Sequence, residues 1–448
     1  MKNLAAWLLA KSRASKGEAY AALDVGTSKI ACFIARCDEE GRPRVIGVGH
    51  QLAEGMRGGS VSDMEALQNA IGSAVATAEQ MAGETIDRVT VNVAGAQLKS
   101  QMVNIELPLN GREINDNDLQ RILAQAQAMA PEDVQGHALE LIHTLPVHYA
   151  LDGQKGIRDP VGMTGNTLQA QMHLVSSTFG PARTLVTAVA RCHLTVDKLV
   201  AAPYASGLAC LVEDEMDLGC LVIDMGAGTT SLAVFFDGNV VHTEGIAVGG
   251  GHVTSDIARG LTTSMAQAER LKTLYGNAVP SAMDEREMLN VPLVGEEGPE
   301  NANQIPKSHL IRIIQPRLEE IFEMVRSRME RGGFQEQAGR RVVLTGGASQ
   351  LTGAREMAQK ILDRQVRLGR PLRVARSMPR EISGRVASGG VSATGLAEAT
   401  SGPAFATTAG LLAVAMQPDL AAMGGFFGEL TGGGNPLSKV MQWLKQNM

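Results

Sequence analysis

One hairpin pattern, written twice, limits what this chain can fold into. Cys220 to Phe235 reads CLVIDMGAGTTSLAVF, in which Leu221, Val222 and Ile223 form an apolar run of the buried-strand type and Leu232 to Phe235 forms another. The turn between them, Met225-Gly226-Ala227-Gly228-Thr229-Thr230, carries little side chain. Its two alternate glycines let the backbone approach a ligand, and the N–H groups of such a turn can face an anion. Asp224, at the strand end, would repel a bare phosphate, so phosphate bound here implies a divalent cation between them and a Mg-nucleotide site. A tight hairpin that merely begins with an aspartate accounts equally well for this stretch alone. The pattern recurs at Ala21 to Ala35, AALDVGTSKIACFIA, with Asp24, Gly26, Thr27 and Ser28 in the same order.

A third stretch, Val342 to Gln350 (VVLTGGASQ), runs a buried strand into paired glycines ahead of a helix. Asp-x-Gly-Thr, then Asp-x-Gly-x-Gly-Thr, then apolar-Thr-Gly-Gly resemble the two phosphate motifs and the adenosine motif of the actin, sugar kinase and DnaK superfamily. That resemblance implies an α/β chain with an actin-like two-domain ATPase fold.

Composition narrows the field. A chain of 448 residues has room for two or more domains with sizeable cores. Its 50 glycines exceed the usual ~7% and cluster in phosphate-type turns and near the C-terminus. A net charge of −6 without a long basic stripe argues against nucleic acid as a partner. The five cysteines show no CxxC pairing and read as buried thiols of a reducing cytoplasm, and the histidines show no metal-ligand spacing. No segment approaches the ~20 apolar residues needed to span a bilayer, and the Leu4 to Ala10 run reads as a frayed extension or small surface helix.

Taken in order, the first hairpin is followed by strand Val45 to Gly49 and a Gly-rich turn at Gly55 to Ser60. A helix with Leu67, Ala70, Ile71, Ala74, Val75 and Ala78 on one face follows, with Asp63 as its N-cap, and then strand Val89 to Ala94. From Gln101 to Thr178 the composition shifts toward Asn, Asp, Gln and Met, marking an inserted module whose helix is capped by Asn115 and whose strands are His137 to Leu151 and Leu168 to Ser176. The histidines of those strands read as satisfied residues, not a metal site. Helix Pro181 to His193, strand Thr195 to Ala201 and helix Tyr204 to Val212 lead into the second hairpin. Strand Val240 to Val248 then precedes Gly249-Gly250-Gly251, behind which a helix can aim N–H groups at phosphate. Helix Ser264 to Leu274 carries Glu269 and Lys272 on one face, suited to ribose and adenine or equally to a solvated ion pair. Short strands around Ala278 to Val294, a long helix Ser308 to Glu330 kinked at Pro316, helix Ala354 to Leu362 and an alanine-rich helix Phe405 to Met416 complete the reading. The last of these is expected to pack under the first domain.

The whole chain from Tyr20 onward resembles the bacterial cell-division FtsA family. The grounds are the first motif Leu23 to Lys29, Val161-Gly162-Met163, Val253 to Ala258, Ala268 to Lys272, Leu344 to Ala348, the position of the insert and a short amphipathic tail. Domains expected from this are an extension at 1–19, domain I at 20–100, 181–204 and 402–418, and an inserted 1C-type subdomain at 101–180. Domain IIA follows at 205–263 and 336–401, domain IIB at 264–335, a linker at 419–435 and a membrane-targeting helix at 436–448. By the same resemblance Asp24 and Asp224 hold Mg²⁺ through water. Gly26, Thr27, Ser28 and Lys29 with Gly226, Gly228, Thr229 and Thr230 surround the phosphates of ATP. Gly250 lies near them, while Glu269, Lys272, Gly346 and Gly347 hold ribose and adenine. Arg317 and Glu320 match the face thought to bind the FtsZ C-terminal tail. The resemblance implies a protein that polymerises, tethers FtsZ filaments to the cytoplasmic face of the inner membrane at the division site, and recruits later division proteins.

Two features refine that expectation. MreB and the DnaK-type chaperones begin the helix entering the second domain with Glu-Pro, where this chain has Ala202-Pro203, so ATP turnover is expected to be weak at most. In the tail, Leu437, Val440, Met441, Leu444 and Met448 form one helical stripe with Trp443 beside it and Lys439 and Lys445 off its centre. This is the composition of an interfacial helix for anionic lipid, although such a face can also dock on the protein itself. The rival classes are a sugar-kinase-type enzyme, for which no motif nominates a base, and a pilus-assembly or chaperone-like ATPase, against which the tail and the insert argue.

Overall fold

The computed structural model describes residues 18–37, 43–94, 96, 98–130, 139–295, 302–371 and 400–416. Residues 1–17 of the expected extension, residues 372–399, the linker and the amphipathic tail lie outside them, as does His137.

The chain makes the same sheet twice. In the first, β1 (Ala19–Val25), β2 (Lys29–Cys37) and β3 (Pro43–Leu52) form an antiparallel meander. After a small ribbon of β4 (Met56–Arg57) and β5 (Ser60–Val61), helix α1 (Met64–Ala82) crosses over to β6 (Arg88–Val93), parallel to β1. Asp63 caps α1 as read from the sequence, its carboxylate accepting the Ala66 amide at 3.0 Å, and Gly83 ends it in the left-handed conformation. The buried face of α1 is the predicted set Leu67, Ala70, Ile71, Ala74, Val75 and Ala78.

The chain then leaves this lobe. Strands β7 (Leu98–Pro108), β8 (Leu139–Leu151), β9 (Gln154–Ile157) and β10 (Thr167–Thr178) form an antiparallel sheet in the order β7-β10-β8-β9. Helix α2 (Asp116–Ala128) covers one face through Ile122 and Ala126, over Val103, Ile105, Leu168 and Leu174. Asn115 and Asp118 cap it reciprocally, and Arg112 holds the Asp118 carboxylate with two bonds of 2.6 Å. The other face of the insert sheet is buried against the main body. His173 contacts the Val240 carbonyl at 2.9 Å, and His143 accepts the Ala201 amide at 2.9 Å, so both are core histidines.

Helix α3 (Phe179–Arg191) and β11 (Thr195–Ala201), parallel to β6, return the chain to the first lobe and complete the order β11-β6-β1-β2-β3. Helix α4 (Ala202–Cys210) follows directly. It starts two residues earlier than expected because Pro203 occupies its first turn, where a missing N–H costs nothing. A short α5 (Glu213–Leu218) then leads to the second sheet. There β12 (Cys220–Met225), β13 (Thr230–Phe236) and β14 (Asn239–Ile246) repeat the meander.

Helices α6 (Gly250–Gly260) and α7 (Met265–Tyr275), the two-stranded β15 (Met288–Pro292) and β16 (Ala302–Pro306), and the continuous α8 (Lys307–Gly332), with Pro316 inside it, precede β17 (Arg341–Thr345). Of the strands expected across Ala278 to Val294 only β15 forms; the stretch before it is a turn region in which Asp284 accepts the Ser281 amide at 2.6 Å. Helix α9 (Ala354–Leu362) links β17 to a parallel β18 (Gln365–Leu368), giving the order β14-β13-β12-β17-β18. Helix α10 (Ala406–Met416) returns to the first lobe, buried among Phe33, Ala205 and Leu23 in one core. Among the described residues, no helix is long and apolar enough to cross a membrane.

Candidate functional site

The two hairpin turns face each other across a cleft of about 770 Å³ between the lobes. Both close with the same bond: the Gly26 amide donates to Lys29 O at 3.0 Å, and the Gly226 amide to Thr229 O at 2.9 Å. They nearly touch, since a Cβ on Gly228 would lie 2.5 Å from the Thr27 hydroxyl oxygen. Asp24, Gly26, Thr27, Ser28 and Lys29 line the cleft from the first lobe, and Asp224, Gly226, Gly228 and Thr229 from the second. Gly250, Glu269, Lys272, Gly346 and Gly347 line it as well.

Thr230 does not. The β12–β13 register pairs Met225 with Thr230 and Asp224 with Ser231, so the pleat turns Thr230 inward, where its hydroxyl donates to Val248 O at 2.8 Å. Ser231 lines the cleft beside Asp224 in its place. A second correction concerns α6. Its first amides do not face the cleft as free donors: Gly250 N–H bonds Gly226 O at 2.9 Å and Gly251 N–H bonds Ala227 O at 2.8 Å. The triple glycine instead lets the helix start pack onto the second turn, brace it and present Cα atoms to the cleft. Glu269 and Lys272 form the ion pair that was the ordinary alternative, at 2.6 Å, and the Lys272 ammonium also holds Gly250 O at 3.1 Å and the Thr254 hydroxyl at 2.8 Å. They line the cleft while tying α7 to α6.

The electrostatics centre on three groups. Burial pushes Asp24 up to about 6, with the neighbouring Asp224 charge acting in the same direction and Lys29 and Thr408 opposing. Burial likewise raises Asp224, against hydrogen bonds from Ser206 and Thr407. Lys29 is pulled below its ordinary value by burial. Its ammonium donates to the Ala404 carbonyl and sits 4.0 Å from the Phe405 ring centroid, so it is held by the last described segment. Two buried carboxylates, of which Asp224 raises the pKa of Asp24, with the Lys29 charge acting on both, are short of positive charge. That imbalance fits a divalent ion bound beside a phosphate chain. No group of three or more His, Cys, Asp or Glu stands ready to hold an ion by itself among the described residues.

Several lining or supporting residues escape sequence reading. Asn92 accepts the Val25 amide at 2.7 Å and pins the end of β1. Ser206, Thr407 and Thr408 reach the two aspartates from α4 and α10. The only signal for the last two is a pair of hydroxyls in an otherwise apolar helix. Arg317 and Glu320 do not line the cleft. Arg317 bonds both oxygens of Asp256 on α6, at 2.6 and 3.2 Å, and also Glu320, at the half-exposed outer side of α8. The membrane set Leu437, Val440, Met441, Trp443 and Leu444 lies outside the described residues.

Two lobes of repeated topology, a cleft lined by paired Asp-Gly turns and a separate inserted sheet define an actin-like ATPase-fold protein. The PilM-PilN type IV pilus biogenesis complex contains a chain of the same fold, with a TM-score of 0.60 and 17% identity, covering 89% of this chain and 98% of that one. The insert matches a family model described as "SHS2 domain inserted in FTSA" at residues 95–176, and "Cell division protein FtsA" matches at 221–410. Cell division protein FtsA of Rhizobium meliloti (strain 1021) is 40% identical over 438 residues, covering 95% of this chain and 94% of the relative. That of Escherichia coli (strain K12) is 32% identical over 397 residues, covering 87% and 88%. The chain belongs to the cell division protein FtsA family.

Proposed function

We propose that the interlobe cleft binds Mg-ATP, and that the nucleotide-bound protein polymerises and tethers FtsZ filaments to the cytoplasmic face of the inner membrane, where later division proteins join. The observation that carries the nucleotide reading is the convergence of both Asp-Gly hairpins on one cleft, with Asp24 and Asp224 facing in from opposite lobes. The ion supplies positive charge that neutralises the phosphates and the two carboxylates together. Asp24 and Asp224 would hold it through water.

 The backbone amides of the two turns that are not used to close them would face the phosphates, and Lys29 sets the charge of the first-lobe wall. The flat wall at Gly346 and Gly347, with no side chain to intrude, suits the adenosine end, and the Glu269–Lys272 pair borders it. Ala202 occupies the cleft wall at the start of α4 with no proton acceptor to orient water, which supports a structural role for the nucleotide with slow turnover.

The partner roles follow from family membership and from the tail's pattern. Arg317 and Glu320, held on the outer side of α8, are offered to the FtsZ C-terminal tail, and residues 436–448 to anionic lipid. One tail of this length binds modestly, because an isolated helix below ~12–15 residues is marginal in water, and filament formation multiplies the attachment. Cosedimentation with anionic vesicles and FtsZ filaments, with and without Mg-ATP, tests the reading. ATP-dependent joint pelleting is expected, and Asp224→Ala should abolish nucleotide binding. Unchanged ATP affinity in that variant removes the cleft assignment.

A further inference from the structure

Helical Ser and Thr hydroxyls in this chain commonly turn back to the carbonyl one turn earlier. Ser73 bonds Asn69 O, Thr77 bonds Ser73 O, Thr184 bonds Gly180 O, Thr187 bonds Arg183 O and Thr273 bonds Glu269 O, each at 2.8 Å. Thr407 and Thr408, in the first turn of α10, do something else. The Thr407 hydroxyl donates to Asp224 Oδ2 at 2.9 Å, and the Thr408 hydroxyl donates to Asp24 Oδ2 at 3.1 Å. The carbonyls one turn back are already taken: Pro403 O by the Gly346 amide and the Thr345 hydroxyl, and Ala404 O by Lys29. Successive helix positions lie about 100° apart, so one helical turn reaches both walls of the cleft.

The helix that carries them is firmly seated. Ala406 to Leu412 are all buried, a Cβ on Gly410 would lie 1.8 Å from Ala205 O of α4, and Phe405 stacks on Phe33 with ring centroids 5.8 Å apart. From α4, the Ser206 hydroxyl adds a second donor to Asp224 Oδ2 at 2.5 Å and lies 2.9 Å from that of Thr407. We propose that Thr407 and Thr408 are positioning residues that hold the two cleft aspartates, one from each lobe, at the orientation and spacing a divalent ion requires. The inference rests on the reading of the cleft as a Mg-nucleotide site. Each hydroxyl occupies one carboxylate oxygen and so fixes the group's orientation before the ion arrives.

The test is a Mg²⁺ titration of the full chain with a fluorescent ATP analogue, and a parallel titration of the analogue in EDTA. Thr407→Val and Thr408→Val keep the shape and remove the donor. Each should raise the Mg²⁺ concentration for half-maximal effect by about tenfold, as expected for loss of a hydrogen bond to a charged group. Affinity in EDTA should stay within about twofold, and Thr407→Ser and Thr408→Ser should restore the Mg²⁺ requirement. Ser206→Ala, which leaves Asp224 one donor, should shift it less. An unchanged Mg²⁺ requirement in the valine variants, or an equal loss with and without metal, overturns the proposal. Should a valine variant not fold, the cysteine variant, with its weaker donor, decides: a raised requirement supports the proposal and an unchanged one overturns it. If the unmodified chain shows no Mg²⁺-dependent binding at all, the nucleotide reading itself fails, and the positioning role falls with it.

Discussion

Replacing Gly346 by alanine puts the interlobe geometry to a quantitative test. Gly346 has φ 85° and ψ 164°, a region almost confined to glycine, and holding another residue there costs about 1–3 kcal/mol. The added Cβ would lie 2.4 Å from Asp224 Oδ1 and 2.5 Å from Met225 O, contacts that require β12 or the carboxylate to move. Overpacking of this kind costs a further ~1–3 kcal/mol, and the stiffer unfolded chain returns about 0.4–1 kcal/mol. The expected net loss is about 1–6 kcal/mol in urea unfolding, with a midpoint of roughly 3 kcal/mol. Because the displaced group is Asp224, affinity for a fluorescent ATP analogue with Mg²⁺ should fall at least about tenfold, a change of roughly 1.4 kcal/mol. Gly83→Ala is the control: it also has positive φ, at 75°, but nothing lies within 4 Å of its Cβ and it is remote from the cleft. It should lose only about 1–2 kcal/mol and bind nucleotide normally. Equal stability of the two variants, with equal nucleotide affinity, would refute the reasoning.

Three further outcomes are expected. His143 and His173, held by burial at about 3 against an ordinary 6.5, bind fewer protons folded than unfolded, so stability falls as pH drops from 6.5 toward 3. Asp24, raised from 3.8 to about 6, and Asp224, also raised by burial, act in the opposite sense, so the histidines' share is read by difference: His173→Gln should flatten the acid slope by up to about 1.4 kcal/mol per pH unit. A slope unchanged in that variant counts against the assignment. Ala202→Glu should raise ATP turnover measured by phosphate release, whereas fast turnover already present in the unmodified chain would mean that another residue orients water. Deleting 436–448, or changing Trp443 and Leu444 together to Glu, should leave ATP and FtsZ-tail binding intact and release the protein from anionic vesicles; undiminished pelleting would move the anchor elsewhere.

Local features were legible in the residues alone. An Asp followed by a side-chain-poor turn between two apolar runs forms the same hairpin at Asp24 and Asp224, closed by the same amide-to-carbonyl bond, because strand, turn and strand lie within sixteen residues of each other. The caps at Asp63 and Asn115 and the apolar face of α1 were legible for the same reason, since each depends on neighbours within a few turns. The order of the motifs carried the family resemblance, and with it the doubled fold.

Tertiary structure decided the rest. Whether Thr230 or Ser231 faces the cleft depends on the pairing register of β12 and β13, and a shift of one residue reverses the pleat. The amides behind the triple glycine were expected to be free, yet they are used up by carbonyls of the second turn, which only the packing of α6 brings within reach. The contacts of Thr407 and Thr408 span 183 and 384 residues of chain. Nothing in the local pattern of an alanine-rich helix says which carboxylates its two hydroxyls will meet. That was settled when α10 returned to the first lobe and its buried faces left only the interlobe side for the polar groups to find partners.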